Sequence, residues 1–197
     1  MTERLSAVIL AGGASRRMGR DKAWLAVEGQ PLIARLLAIV RSSGVEEIFI
    51  SGRADADYAA LNRPVLLDRE PGLGPVGGIE RGLHAARHPL LLVLAVDLPR
   101  MTAAFLHKLA GRCEPGIGAV PRLHGALEPL AAIYPKHCHA VADEHLAAGR
   151  RSARDFAEAC LQQGAVRAFS VAPADAPCFL NWNTPTDVTG AAGQASH

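Results

Sequence analysis

The amino-acid sequence predicts an α/β protein with a Rossmann-like, doubly wound and mostly parallel sheet, covered by helices on both faces in three αβα layers. Two observations support this prediction. Apolar runs alternate with segments of helical period through the first half of the chain, which is typical of βα units. The apolar runs are also continuous, as in LLLVLAVD at 90–97, and strands that are buried on both faces of a sheet have this pattern.

The predicted elements follow one another in a regular order. Strands are predicted at 6–11, 47–51, 64–68 and 90–97, and helices at 32–41, 57–61, 77–87 and 102–111. We expect Gly44 to end the first helix and Thr102 to cap the fourth, since glycine favours helix C-termini and threonine favours N-termini. Later in the chain, strands are predicted at 128–135 and 165–171, and helices at 136–148 and 152–162, the second of these capped by Ser152.

One domain is predicted over residues 1–190, followed by a short polar tail at 191–197 that we expect to be disordered. With 197 residues, of which 49% are apolar and 20% charged, the chain has the size and composition of a globular domain with a sizeable core. No apolar run approaches the roughly 18 residues of a membrane span. The net charge of +2, without a basic stripe, argues against a nucleic-acid partner. We therefore expect a small ligand, and neither nucleic acid nor a membrane.

A reducing cytoplasm suits the cysteine content and the start of the chain. The cysteines are widely spaced and form no CxxC pair, so neither a disulfide framework nor a zinc finger is indicated. The first residues also lack the basic segment and long apolar core of an export signal. A cytoplasmic location is the expectation.

The stretch LAGGASRRMGRDK, at 10–22, follows the first predicted strand and holds three glycines and four basic residues. Its spacing matches neither the GxGxxG dinucleotide pattern nor the GK[ST] ending of a Walker loop. Glycines directly after a strand let the backbone approach a ligand closely, and consecutive amides can bind an anion. Because Arg16, Arg17 and Lys22 add positive charge, a triphosphate site is favoured over a glycine-rich turn beside a solvated basic patch.

Two carboxylates are expected on the same edge of the sheet as this loop. Asp97 ends the most apolar predicted strand, and Asp68 ends another strand in the same way. Open α/β sheets bind ligands along this carboxyl edge, and Mg²⁺ prefers carboxylate and phosphate oxygens. We predict that Asp97 is a Mg²⁺ ligand. The alternative for both residues is a turn aspartate that accepts hydrogen bonds from backbone N–H groups.

Several motifs together resemble one enzyme family. These motifs, in chain order, are LAGGASRRMGRDKAWL at 10–25, the strand-ending Asp68, GPVGGIERGL at 74–83, LAVDLP at 94–99, EPLAAIY at 128–134 and NWNTPTD at 181–187. They look like the molybdopterin nucleotidyltransferases, and most of all the molybdenum cofactor guanylyltransferases. In that family a glycine at position 13 goes with guanine, where the cytidylyl relatives usually carry alanine.

The resemblance implies roles for individual residues. The backbone of Leu10, Ala11, Gly12 and Gly13 would bind the nucleotide, with Lys22, Arg16 and Arg17 on its phosphates, Asp68 on the guanosine part and Asp97 on Mg²⁺. Asn181 and Asn183 would lie near the pterin, and Trp182 between them is a candidate for lining its pocket. Ser51 departs from the family, which often has asparagine there. A serine has one hydroxyl, whereas an asparagine amide has both a donor and an acceptor group with which to recognise a base. The sequence therefore supports guanine specificity less strongly than it supports nucleotide binding.

The reaction that the resemblance implies transfers GMP from GTP to the terminal phosphate of molybdopterin, or of its molybdenum-loaded form, with release of pyrophosphate. Lys22, Asp97 and Arg17 are the expected catalytic residues. Two alternatives stay open: another nucleotidyltransferase that uses CTP or a sugar phosphate, and a nucleotide-binding module without catalysis. The sequence does not identify the proteins that deliver or accept the cofactor.

Other polar groups receive no role in this reaction. His137 and His139 are predicted to lie on different faces of a helix, and no acidic partner is expected near His84 and His88, so none of the four is assigned to a metal. The segment 150–154 carries three arginines and is predicted to be a solvated helix start, with an anionic substrate or a partner protein as the alternative.

Overall fold

The computed structural model describes residues 5–12, 22–27 and 29–181, apart from the side chains of Lys22 and Val27. The α-helices are α1 (Leu32–Ser42), α2 (Gly74–Ala85), α3 (Ala103–Ala110), α4 (Cys138–Ala147) and α5 (Ala153–Gln162). The strands are β1 (Leu5–Leu10), β2 (Ala26–Val27), β3 (Gln30–Pro31), β4 (Glu47–Gly52), β5 (Val65–Leu67), β6 (Leu90–Ala95), β7 (Gly118–Leu123), β8 (Ala126–Leu127), β9 (Ala131–Pro135) and β10 (Val166–Ser170). Short 3₁₀ turns lie at Lys22–Trp24, Ala59–Leu61 and Pro173–Phe179.

The predicted fold class is confirmed. The main sheet has the order β10-β7-β9-β6-β1-β4-β5, with β8 added on β7, and its centre is parallel. β9 is the exception, because it runs antiparallel to both β6 and β7. The connection from β7 to β9 is a tight turn and the short strand β8, and a connection of that kind cannot make a parallel crossover.

Helices cover both faces of this sheet. α2, α4 and α5 pack on one face around Val8, Leu91 and Val93, while α1 and α3 pack on the other around Ile9, Leu92 and Leu94. Successive residues of β1 and β6 therefore enter opposite cores. This explains why β6 and residues 7–10 of β1 are apolar without interruption. Across the described ranges, no helix combines the length and the apolar character that crossing a bilayer requires.

The predicted residues at the ends of three helices are confirmed. The side chains of Thr102 and Ser152 accept hydrogen bonds from the backbone N–H groups of Phe105 and Asp155, each at 3.2 Å. Gly44, after α1, has a φ of 87°, which an L side chain rarely adopts.

Other predictions are corrected. The predicted helix at 57–61 is only the 3₁₀ turn at Ala59–Leu61, and the predicted strand at 128–135 begins at Ala131. β7 was not predicted, and it contains Pro121, a residue type that is rare inside a sheet. The proline is tolerated because β7 pairs with β9 only at Ala119 and Ile133. The predicted tail at 191–197 lies outside the described residues and stays a prediction.

Helix α2 lies unusually close to the sheet, and its glycines make this possible. A Cβ atom on Gly78 would overlap the Ser51 hydroxyl oxygen and would lie 2.7 Å from Leu10 Cδ2. One on Gly82 would lie 2.9 Å from Val8 Cγ1. Real Cβ atoms do not approach other heavy atoms so closely, so an alanine at either position would force these neighbouring side chains to shift. The motif GPVGGIERGL therefore has a packing role in addition to its place beside the carboxyl edge.

Gly78→Ala tests this contact. Alanine improves helix propensity by ~1 kcal/mol, but overpacking against Ser51 and Leu10 costs about 1–3 kcal/mol, so we expect a net loss in the free energy of unfolding. Urea unfolding at equilibrium measures it. In a Ser51→Ala background the loss should be smaller, since the overlapping oxygen is gone. A Gly78→Ala protein as stable as the parent would contradict the close packing of α2.

Candidate nucleotide-binding site

The start of the glycine loop lies at the centre of the carboxyl edge of the sheet. The N–H of Ala11 donates to the carbonyl of Ser51 at 2.8 Å, and the N–H of Val96 donates to the carbonyl of Leu10 at 3.1 Å. A Cβ on Gly12 would meet the Gly52 carbonyl oxygen only at 3.7 Å. The chain therefore leaves β1 between the ends of β4 and β6, which is where an open α/β sheet binds its ligands.

An open cavity of about 410 Å³ adjoins this position on the β6 side. Asp97 and Asn181 both line it, although they are far apart in sequence. Asp97 is partly exposed, two residues beyond the end of β6, and Asn181 is exposed. The structure thus brings one predicted metal ligand and one predicted pterin-contacting residue into the same cavity.

Further polar residues of this cavity were not predicted to belong to the site. Glu128, Ser152 and Arg154 line it together with Asp97. Burial raises the pKa of the Glu128 carboxyl above its usual value, and the positive charge of Arg154 opposes that shift. The EPL motif and the arginines at 150–154 were noticed, but only the fold shows that Glu128 and Arg154 face the same space. A cation near a cavity of this size suits an anionic ligand.

Asp68 lies on the other side of β1, beyond β4, directly after β5. Its Oδ1 is buried and has no hydrogen-bond partner among the residues that the structure describes. A Cβ on Gly77 of α2 would lie 3.1 Å from this oxygen, so the glycine leaves room beside the carboxylate. Burial raises the pKa of Asp68 above its usual value; the negative charge of Glu80 adds to this shift and the positive charge of Arg81 opposes it.

Ser51 is more buried than a residue that recognises a base is expected to be. Only 5% of it is exposed, and its hydroxyl oxygen is directed at Gly78 of α2. Its carbonyl oxygen already accepts the hydrogen bond from Ala11. The role of Ser51 in recognising a base stays a prediction.

Several predicted site residues lie outside the described part of the chain. They are Gly13, Arg16, Arg17, Trp182 and Asn183, together with the side chain of Lys22. Their roles in binding phosphates or the pterin stay predictions.

The fold and the carboxyl-edge groups define a class of protein. A doubly wound α/β sheet with a glycine just after its first strand, and with carboxylates after β5 and β6, is an architecture that binds nucleotides at its carboxyl edge. The chain belongs to the MobA-like NTP transferase domain family, whose sequence pattern matches residues 7–168.

Curated relatives and solved structures agree with this assignment. The chain is 40% identical, over 91% of its length and 90% of the relative, to a protein of Pseudomonas aeruginosa named molybdenum cofactor guanylyltransferase. It is 38% identical, over 93% of its length and 92% of the relative, to an Opitutus terrae protein named "Probable molybdenum cofactor guanylyltransferase". The crystal structure of molybdopterin-guanine dinucleotide biosynthesis protein A from Archaeoglobus fulgidus has the same fold, with a TM-score of 0.73, 22% identity, and coverage of 94% of this chain and 96% of that one.

Asp68→Asn tests whether the half-buried Asp68 carboxylate destabilises the fold when it is charged. Since the folded state raises the pKa of Asp68 above its ordinary 3.8, folding favours the protonated form, and this contribution to stability is lost as the pH rises through the raised pKa. At neutral pH the charged carboxylate is therefore destabilising. We expect the asparagine variant to be more stable than the parent at pH 7, and the difference to shrink as the pH falls through the raised pKa toward 3.8. Urea unfolding at several pH values measures this, and a variant that is less stable at pH 7 would contradict it.

Proposed function

We propose that this protein transfers GMP from GTP to the terminal phosphate of molybdopterin, or of its molybdenum-loaded form, and releases pyrophosphate. The relatives that match nearly the whole chain carry the name of this activity. The single structural observation that supports it best is the placement of two carboxylates around the glycine turn. Asp68 lies two strands from β1 on one side, and Asp97 follows the neighbouring strand on the other.

The Asp68 side fits the nucleoside. Its buried Oδ1 has no partner among the described residues, and a carboxylate oxygen in that state needs a hydrogen-bond donor. Ribose hydroxyls and guanine N–H groups are such donors, whereas phosphates are not. The nucleoside of GTP would therefore lie toward β5, and its phosphates would lie above the glycine turn after β1.

The Asp97 side fits the acceptor. The cavity beside Asp97 holds Arg154 and Asn181, which can bind an anionic group and hydrogen-bond a polar ring. Because this cavity lies on the far side of β1 from Asp68, an acceptor phosphate and the α-phosphate of GTP would lie between the two regions. Asn183 and Trp182 would extend this region toward the pterin.

The side chains in the cavity also fit a Mg²⁺ ion. Asp97 and Asn181 offer carboxylate and amide oxygens, which this hard cation prefers. When bound at Asp97, Mg²⁺ would reduce the negative charge on the reacting phosphates and on the leaving pyrophosphate.

The chain's own residues position two polyanions. In the reaction an oxygen of the acceptor phosphate attacks the α-phosphorus of GTP, and the bond from that phosphorus to the bridging oxygen of the β-phosphate breaks. The acceptor phosphate is already largely ionised at neutral pH, so no strong general base is required. Arg16, Arg17 and Lys22 would hold the triphosphate, with the backbone N–H groups of Gly12 and Gly13 beside them.

Nucleotide-dependent release of pyrophosphate tests the activity. Purified protein is incubated with Mg²⁺ and each of GTP, CTP, ATP and UTP, with and without molybdopterin. We expect release with GTP, and only when the pterin is present. Release with CTP instead would move the protein to the cytidylyl branch and show that Ser51 does not specify guanine. Binding of GTP without release under any condition would favour a nucleotide-binding module.

Asp97→Ala and Lys22→Ala test the two proposed electrostatic contributions. Each should lose about 3 kcal/mol or more of transition-state stabilisation, which is on the order of a hundredfold in kcat/KM. Glu46→Ala is the matched control, because the exposed Glu46 directly precedes β4 and so lies at the amino edge of the sheet, opposite the candidate site. Near-normal turnover of Asp97→Ala, with the fold unchanged by circular dichroism, would rule out the metal assignment.

A further inference from the structure

A second group of potential metal ligands lies between helices α2 and α4. Its member Glu80 acts electrostatically on Asp68, but Asp97 is not among its residues. One ligand atom from each of Glu80, His84 and His139 lies within 4.8 Å of the others. α2 runs from the carboxyl edge of the sheet to its amino edge, and α4 starts at the amino edge, where Pro135 pairs with Leu90. The group therefore lies toward the edge opposite Asp97, and it is distinct from the proposed Mg²⁺ site.

The expectation that His84 has no acidic partner is wrong. Glu80 precedes it by one helical turn, so the two side chains lie on the same face of α2. His139 comes from the first turn of α4, which packs against that face, and the His84 and His139 ring centroids are 5.5 Å apart. Because His84 and His139 are 55 residues apart in the sequence, their proximity could not be predicted from local patterns.

Glu80 is the buried member of the group. It is 0% exposed, and its Oε1 accepts a hydrogen bond from Arg69 at 2.7 Å and lies 2.9 Å from His139 Nε2. Its Oε2 is buried too, and within the described part of the chain it has no hydrogen-bond partner. A buried carboxylate oxygen without a partner is costly, and a bound cation would compensate it.

His139 is oriented for metal binding by a second carboxylate. Its Nδ1 lies 3.2 Å from Asp143 Oδ2, one turn further along α4. In the metal-free protein, a hydrogen on Nε2 is donated to Glu80 Oε1, and a metal ion would have to displace that hydrogen as a proton. The Nδ1–H donated to Asp143 would then hold the ring with its Nε2 lone pair toward the metal, as is common for metal-binding histidines. His139 Nε2 faces Glu80 rather than solvent.

We propose that Glu80, His84 and His139 form a site for Zn²⁺, with water as the remaining ligand. Two imidazoles and one carboxylate are an established zinc ligand set, and imidazole nitrogen selects Zn²⁺ over Mg²⁺ or Ca²⁺. Zinc bonds of about 2.0–2.2 Å in tetrahedral geometry place the ligand atoms roughly 3.4 Å apart. Glu80 Oε1 and His139 Nε2, at 2.9 Å, must therefore separate slightly, while His84 moves toward them. His84 is exposed and free to turn toward Glu80, and Arg69, with a side chain 51% exposed, can move away from the incoming charge.

The bound metal would join two helices that otherwise meet through side-chain packing and this ion-pair cluster. α2 carries the glycine face beside Asp68, and α4 leads into α5, whose start lines the Asp97 cavity. Zn²⁺ at this position would therefore raise the thermal stability of the helical layer that supports both parts of the candidate site.

The test uses the full chain, stripped with EDTA and desalted, and Zn²⁺ alone as the probe. Equilibrium dialysis with elemental analysis should give one Zn²⁺ per chain, and the thermal midpoint should rise on adding Zn²⁺ but not on adding Mg²⁺. His84→Gln and His139→Gln should each weaken binding at least tenfold and remove the rise. His137→Gln is the matched control, because this exposed histidine lies two residues from His139, outside the group, and its binding should match the parent's.

Two results would overturn the proposal. Absence of bound Zn²⁺ at micromolar concentration would show that the cluster is only an ion-pair network between α2 and α4. Zn²⁺ binding that is unchanged in both His84→Gln and His139→Gln would place the metal elsewhere in the chain. The midpoints of the metal-free variants, measured beside the parent, separate loss of the ligand from loss of the fold.

Discussion

The contact on which the site depends is the close packing of α2 against the sheet. Glycines on one face of the helix let it approach β1 and β4 to a distance at which a larger residue would force the facing side chains to shift. This approach fixes the start of α2 beside Asp68 and holds Ser51 under the helix. The position of Asp68 in the candidate site thus depends on α2 having glycines, and no larger side chains, where it faces the sheet.

The two sides of the site differ in how they hold their polar groups. On the β5 side, Asp68 is half-buried, and its pKa is raised by desolvation, so that position favours a ligand that brings hydrogen-bond donors. On the β6 side, Asp97 opens into a cavity that also holds Glu128 and Arg154, where both signs of charge are present. The end of β1 at Leu10 separates these two environments, and the proposed nucleoside and phosphorylated acceptor would each find a different one.

Sequence reasoning predicted what depends on neighbours in the chain. Continuous apolar runs gave the buried strands, and the capping residues Thr102 and Ser152 gave helix starts, because burial and capping are local signals. The carboxylates at strand ends were predicted for the same reason. The direction of β9 was not predicted, since periodicity reports which faces are buried and not which strand is the partner. Arg154 beside Glu128, and His139 beside Glu80, depend on how the helices are arranged, and no local pattern contains that information.

The antiparallel strand β9 also affects how the chain is made. The strands β1, β4, β5 and β6 all come from residues 5–95, whereas β9, the second neighbour of β6, comes from Ala131–Pro135. During synthesis, β6 therefore has one open edge until some forty further residues have left the ribosome. That edge is LLLVLA, which contains no charge, no glycine and no proline, the composition of a strand prone to pair with other chains. The arrival of β9 closes it, so the strand that makes the sheet mixed also protects its most apolar member from aggregation.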